Sequence, residues 1–283
     1  MKITIIGLGL IGGSLALDLR ANGFASHIDG VDLDPIHQME ALKAGMVDEI
    51  KTLEEGCLDP DLVILAVPVS AIVILLPKVL DLIPEGTVVI DMGSTKGEII
   101  KAIDDHPRRG RAVAGHPMAG TEYSGPSAAV NNLFYGKVAI ICERTQTDED
   151  AVNMAERLFK SLFMRVIYMD AADHDIHAAY VSHISHISSF VLALTVLEKE
   201  KSEANIFNLA SGGFSSTVRL AKSSPKMWRD VYEQNAGNIV DVLDIYLEKM
   251  QTFRNYIAEG KFDQTYDLMN EANAIGSILN GIK

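Results

Sequence analysis

Cysteine is nearly absent. Cys57 and Cys142 are the only two in 283 residues, far apart and outside any C-x-x-C, so neither a disulfide framework nor a zinc knuckle is available. That usage suits a cytoplasmic chain. Basic residues are scarce too: 25 lysines and arginines face 38 acids, the net charge is −13, and the densest basic stretch is HPRRGR at 106–111. A nucleic-acid partner needs a basic face, so that class is excluded and any anionic ligand must be held by a few local donors. Long apolar runs are also lacking. The nearest, LVILAVPVSAIVILLPKVL, contains two internal prolines and a serine, and no membrane span is expected. The start, MKITIIGLGLIGGSLAL, is apolar, but glycines at 7, 9, 12 and 13 break any signal-peptide core, so it reads as mature structure.

What is present is a hydrophobic content of 48%, enough for a large core, in a chain long enough for two domains. KITIIG (2–7), HIDGVD (27–32), DLVILAV (61–67), TVVIDM (87–92), RAVAG (111–115) and KVAIIC (137–142) are strand-like, and most of the segments between them carry helical periodicity. This alternation predicts a parallel sheet covered on both faces. After VIYMD (166–170) the pattern becomes helical: 171–201 and 226–258 read as long helices, SGGFSST (211–217) as an interrupting loop, and 261–281 as a last helix.

Gly7-Leu8-Gly9-Leu10-Ile11-Gly12 is a G-x-G-x-x-G between a strand and a helix, and the next strand ends in Asp32, 20 residues beyond the third glycine. In that register the glycines permit a tight turn and close approach of a pyrophosphate to the helix N-terminus, with Asp32 accepting from a ribose diol. A ligand-free glycine turn is the plainer alternative. An acid at position 32 repels a 2′-phosphate, and its neighbours Leu33 and Asp34 supply no arginine, so NAD is expected over NADP. The fold class follows: an α/β Rossmann-type dinucleotide-binding domain over 1–170, then an all-α domain over 171–283.

Ligands of such sheets sit at the carboxyl ends of the strands. Val67-Pro68 ends one strand there and joins the cofactor set. Ser94 and Lys96 follow the next, where both also suit an ordinary turn and helix cap, and His116 follows the one after, in GHPMAGTEYSG. Pro117 holds His116 extended, small neighbours leave a ligand room, and a neutral imidazole is the usual acceptor for a hydroxyl proton when hydride leaves the same carbon. In HDIHAAYVSHISH (174–186), His183 and His186 share a helix face, with His177 two turns before and His174 another turn back. Zinc is the rival reading. Neither H-E-x-x-H nor a Cys/His set completes four ligands, so no metal is expected, and His174 and His177 are read as polar seam residues. Arg219, after the Ser211-Gly212-Gly213-Phe214 loop, suits a carboxylate clamp or a surface arginine, and Cys57 reads as packing.

GLGLIGGSLA, AVPV, DMGSTKG, GHPMAGTEYSG, VSHISH and GGFSSTVRLAKSSPKMWRD, in this order, resemble the prephenate/arogenate dehydrogenases of tyrosine biosynthesis over nearly the whole chain. The resemblance implies a Rossmann domain with a helical dimerisation domain, a homodimer, and NAD-dependent conversion of prephenate to 4-hydroxyphenylpyruvate and carbon dioxide. It makes His116 the catalytic imidazole and Ser94 a second hydroxyl partner near the nicotinamide. Arg219 would hold a substrate carboxylate. Ser182, His183 and His186 would line the pocket with Glu122 nearby, and Gly212 and Trp228 would help form it, the tryptophan reached across the dimer. Where relatives often carry a longer or acidic stretch after GGF, this chain has Ser215-Ser216, so no contact is assigned to Ser216. The appended regulatory or mutase domain of some relatives has no room here. Arogenate is the alternative substrate; the two histidines favour a keto acid. A β-hydroxyacid dehydrogenase would place a catalytic lysine in the helical half, and a silent NAD-binding protein would have no need of the His116, Ser94 and Arg219 set.

Overall fold

The computed structural model describes residues 1–201, 203 and 206–281. Its first part runs β1 (Lys2–Ile6), α1 (Leu10–Ala21), β2 (His27–Val31), α2 (Pro35–Lys43), β3 (Glu49–Ile50), α3 (Leu53–Gly56), β4 (Leu62–Leu65), α4 (Val69–Leu82), β5 (Val88–Asp91), α5 (Gly97–Lys101), β6 (Ala112–Pro117), β7 (Val138–Cys142), α6 (Glu149–Ser161) and β8 (Arg165–Met169). Apolar residues at alternate strand positions face opposite layers. Ile3, Ile5, Leu62, Ile64 and Ile90 pack with Leu15 and Leu19 of α1 and Phe159 of α6. Ile6, Val63, Leu65 and Val89 pack with Ile72, Leu76 and Val79 of α4. Burial on both faces is why these strands read as continuous Val/Ile/Leu runs.

The eight strands are ordered β3-β2-β1-β4-β5-β6-β7-β8. Sheet growth reverses between β1 and β4, which opens a crevice at their carboxyl ends. The expected parallel sheet is corrected at one place, where β7 runs antiparallel to β6 with His116 opposite Ile140. The connection over 118–137 holds only a short turn of helix at Pro126–Ala128, and a parallel return needs a long crossover. The two-residue β3 is an edge strand that the apolar pattern does not announce.

The helical part begins with α7 (Ala171–Ala178), which passes through a π-turn at Ala179–His183 into α8 (Ile184–Glu200). It continues through α9 (Gly212–Thr217), α10 (Pro225–Gln234), α11 (Ala236–Ala258), α12 (Phe262–Ala272) and α13 (Ala274–Gly281). The expected loop at 211–217 is therefore largely helix α9, and the expected helices 226–258 and 261–281 are each broken at an asparagine, Asn235 and Asn273. The stretch Ala171–Glu200 is long and apolar enough, by length and composition alone, to cross a membrane, and little of its apolar window is buried in the single chain. A search for uninterrupted apolar runs passes over it because histidines and serines punctuate it.

The chain divides into two compact units, Met1–Ala236 and Gly237–Lys283. The first unit reaches beyond residue 170 because α10 is fastened to the sheet domain. Trp228 and Val231 are buried with Val69 of α4, Ser70 donates to the Asp230 carboxylate, and Thr95 donates to Gln234 Oε1 at 2.6 Å.

Candidate active site

At the crevice, Gly7 has φ +96°, and a Cβ there would lie 2.5 Å from the Ala66 carbonyl and 2.7 Å from Val67 Cγ1. A Cβ on Gly12 would fall 1.9 Å from the Gly7 carbonyl, so the turn accepts only glycine at both positions. Gly9 differs: its Cβ direction meets nothing within 4 Å. This is the open side of the turn, where α1 begins without a side-chain cap and its first amides, those of Leu10 and Ile11, point to solvent or ligand. Asp32 accepts from the Leu8 amide at 2.8 Å and the Asp34 amide at 2.9 Å, which fixes its carboxylate at the tip of β2. Val67 and Pro68, at the start of α4, form the opposite lip. The donor and acceptor set fits a dinucleotide.

His116 lies within β6 rather than beyond its end, paired across to β7. It is half-buried, and burial, aided by His174, Lys96 and His183, holds its imidazole well below the ordinary histidine pKa. Its Nδ1 is 2.8 Å from His174 Nε2, and His174 Nδ1 is 2.8 Å from Asp175 Oδ1. Asp175 also accepts from the backbone amides of Lys96 and Gly97, both at 2.8 Å. Lys96 is fully buried, ion-paired with Asp91, and donates to the Gly115 carbonyl at 2.6 Å, one residue before His116. Ser94 is half-buried in the turn between β5 and α5, and the pairing of Asp91 with Ala114 sets it at the same sheet edge as His116.

The helical segments bring a second group. His183 is 1% exposed, and burial pushes its imidazole down to about 4; Asn235 Nδ2 donates to its Nδ1 at 3.2 Å and to the Asp175 carbonyl at 2.7 Å. His186 donates from Nδ1 to the Ser182 carbonyl at 3.0 Å, and burial lowers its pKa as well. The Trp228 ring lies 3.8 Å from that of His186 and edge-on to His183 at 5.7 Å, all within one chain. Its own α10 carries the tryptophan onto α8. Trp228 Nε1 and the Tyr232 hydroxyl are buried without a partner. Arg219 donates to Glu122 Oε2 at 2.9 Å, with half of its side chain exposed. Gly212 opens α9, and a Cβ there would meet nothing within 4 Å. An open cleft of about 640 Å³ beside this pair is walled by Glu122, Tyr123, Ser127, Lys222 and Ser224; His116 and Ser94 are not on its wall.

Of the histidine run, His177 stays exposed whereas His174, read from sequence as a seam residue, touches His116 directly. Asp175 and Asn235 were not candidates at all. The pairing of an acid with the histidine before it in HDIH was the available signal for Asp175; nothing local marks Asn235. Cys57 and Cys142 are both buried, which pushes their thiols up to about 11 and about 12.

The family model for the prephenate dehydrogenase nucleotide-binding domain matches residues 15–168, and that for the prephenate dehydrogenase dimerization domain matches 170–271. The prephenate dehydrogenase of Bacillus subtilis is 33% identical over 268 residues, covering 92% of this chain and 71% of that protein. The crystal structure of prephenate dehydrogenase from Aquifex aeolicus in complex with hydroxyphenyl propionate and NAD+ superposes with a TM-score of 0.87 at 29% identity, covering 99% of this chain and 98% of that one. Synechocystis arogenate dehydrogenase gives 0.77 at 25% identity, covering 99% and 100%. With the glycine cradle, the strand-borne histidine and both matched halves in one sequence, the chain belongs to the prephenate dehydrogenase family.

Proposed function

We propose that this chain oxidises and decarboxylates prephenate to 4-hydroxyphenylpyruvate and carbon dioxide with NAD, as a step of tyrosine biosynthesis. The observation that carries the reading is His116, an imidazole kept neutral by its surroundings at the sheet edge where the glycine cradle also opens. Residues 1–170 serve as the nucleotide-binding domain. In it Gly7, Gly9, Leu10, Ile11 and Gly12 receive the pyrophosphate, Asp32 the ribose, and Val67 and Pro68 the cofactor's other flank. NAD supplies the hydride acceptor when bound.

His116 accepts the ring hydroxyl proton as the carbon beneath it is oxidised, and Ser94 shares that hydroxyl. Loss of the ring carboxylate then aromatises the ring, a step that asks for positioning more than for acid or base. Arg219 grips a substrate carboxylate, a role supported by its present bond to the Glu122 carboxylate. Ser182, His183, His186, Gly212 and Trp228 form the pocket wall. His183, whose Nδ1 accepts from Asn235, carries its own hydrogen on Nε2 when neutral and so offers a donor to a keto group. Glu122 supports arogenate as the second reading, because a carboxylate near the clamp suits an ammonium.

The chain acts as a homodimer through residues 171–283, where Tyr180, Val181, Val191, Leu194 and Leu197 are exposed along the π-turn and α8 for a second copy to cover. It works in the cytoplasm, in keeping with two buried thiols.

The test is formation of reduced nicotinamide with prephenate and with arogenate, each offered NAD and NADP. His116→Asn is expected to keep NAD binding while turnover falls by about 10²–10⁴. No signal with any pair, or normal turnover in the variant, refutes the reading.

A further inference from the structure

We infer that His174 and Asp175 are positioning residues that fix the tautomer of His116, so that its Nε2 presents a lone pair to the substrate hydroxyl. The inference rests on the catalytic reading of His116 and adds which of its nitrogens is the base and what makes it so.

The assignment follows from donors and acceptors once Asp175 is ionised and both imidazoles are neutral. Three hydrogens converge on the Asp175 carboxylate: the Lys96 amide and His174 Nδ1 at Oδ1, and the Gly97 amide at Oδ2, each at 2.8 Å. An ionised carboxylate only accepts, and the bond to His174 together with these two amides holds Asp175 below its ordinary value against the cost of burial. His174 Nδ1 must therefore carry a hydrogen. A neutral imidazole has only one, so His174 Nε2 is bare. His116 Nδ1, 2.8 Å from that bare nitrogen, has to be the donor. Its single hydrogen is then committed to His174, and Nε2 is left as the acceptor. Each link removes one choice from the next, until the last nitrogen has the form a general base needs.

The wiring depends on His174 being neutral. As a cation it would donate from both nitrogens and force His116 to hold its hydrogen on Nε2, the wrong end. His174 is 1% exposed, and burial together with the nearby Lys96 ammonium disfavours its charging, against Asp175 and Asp91, which favour it. Once His116 has taken the substrate proton, the same Nδ1–H···Nε2 bond steadies the imidazolium. A serine-protease aspartate does this for its histidine, and there the wrong tautomer costs about 10⁴ in turnover. The present chain inserts a second imidazole between acid and base.

The tautomer is readable without substrate, in full-length protein labelled with ¹⁵N-histidine, by two-bond nitrogen–hydrogen correlation, with His116 assigned by its loss in His116→Asn. The expected result is hydrogen on Nδ1 and a bare Nε2 at neutral pH. Hydrogen on Nε2 of the resting wild type overturns the inference, whatever the enzyme's substrate proves to be. His174→Phe removes the acceptor: it should move His116 towards the Nε2–H form and lower kcat about 10²-fold, with KM for prephenate nearly unchanged. His174→Gln, whose amide oxygen can accept from His116 while its NH₂ donates to Asp175, should restore the tautomer and most of kcat. A His174→Phe protein that folds and keeps both the wild-type tautomer and kcat also overturns it. Should the wild-type tautomer be as assigned while neither prephenate nor arogenate is turned over, the functional reading fails and the wiring stands.

Discussion

Replacing Lys96 by methionine removes one charge from the driest part of the sheet edge. Lys96 is 0% exposed and its partner Asp91 is 1% exposed, so the substitution strands a buried carboxylate. Asp91 would keep only the Gly93 amide, 2.9 Å from Oδ1, since its Oδ2 is already without a partner. Breaking one side of a buried ion pair costs about 3–5 kcal/mol. The lost bond to the Gly115 carbonyl adds about 1 kcal/mol. Methionine fills much of the lysine volume, so little cavity cost is added. In urea, at an m-value of about 3 kcal/mol/M, the unfolding midpoint should fall by about 1–2 M at fixed protomer concentration. The sign of the pH dependence is fixed as well. Burial pushes Asp91 up from its ordinary value, Lys96 and the Gly93 amide pull against this, and the variant loses the larger pull. A carboxyl with a raised folded pKa binds more protons folded than unfolded, so the deficit of Lys96→Met should shrink as the pH is lowered. Adding Asp91→Asn removes the stranded charge and should recover about 2 kcal/mol. A single variant within about 1 kcal/mol of wild type, or a double variant less stable than the single, refutes the account.

Acid should destabilise the folded chain through its buried imidazoles. His116, His174, His183 and His186 are all lowered, chiefly by burial, so the unfolded chain binds more protons below its ordinary histidine pKa near 6.5. Stability is complete above that value and falls as the pH drops towards the folded values; His183, at about 4, contributes a loss on the order of 3 kcal/mol. A Tm that does not change between pH 7 and pH 5 would count against this. Arg219→Ala should raise KM for prephenate by about 10–100-fold with kcat little changed, as removal of uniform binding does. A fall confined to kcat in steady-state rates would mean that Arg219 acts on the chemistry instead.

Period and punctuation carried the strands well because a sheet buried on both faces writes its pattern into consecutive residues. β1, β2 and β4 to β7 fall within or one or two residues beyond the runs read from sequence. The glycine turn was equally legible, since Gly7 and Gly12 answer to local backbone crowding. The direction of β7 was not: strand patterning is the same for parallel and antiparallel neighbours, and only the missing crossover helix between 118 and 137 distinguishes them. His116, Ser94 and Arg219 are candidates on position and family resemblance. His174, Asp175 and Asn235 meet their partners across 58, 79 and 52 residues of chain, and no spacing rule encodes contacts of that length. Lys96 was left open between turn residue and site residue because its burial comes from β5 and β6 together, not from its neighbours in sequence.

The π-turn at Ala179–His183 has a consequence for which changes this protein can tolerate. His174 and His183 are nine residues apart, and at about 100° per residue an unbroken α-helix would turn them to opposite sides, about 180° apart. A π-turn absorbs one residue without advancing the helix, which reduces that angle to about 80° and lets both rings face inward, with Asn235 donating to His183 Nδ1 and to the Asp175 carbonyl. The relation between the two histidines is therefore a matter of length, not of composition. Many substitutions between them should be absorbed, and so should deletion of the one extra residue, which leaves a plain α-turn with the same angle, whereas inserting another would rotate everything that follows by about 100°, His183, His186 and the Trp228 stack together, away from the imidazole on the sheet.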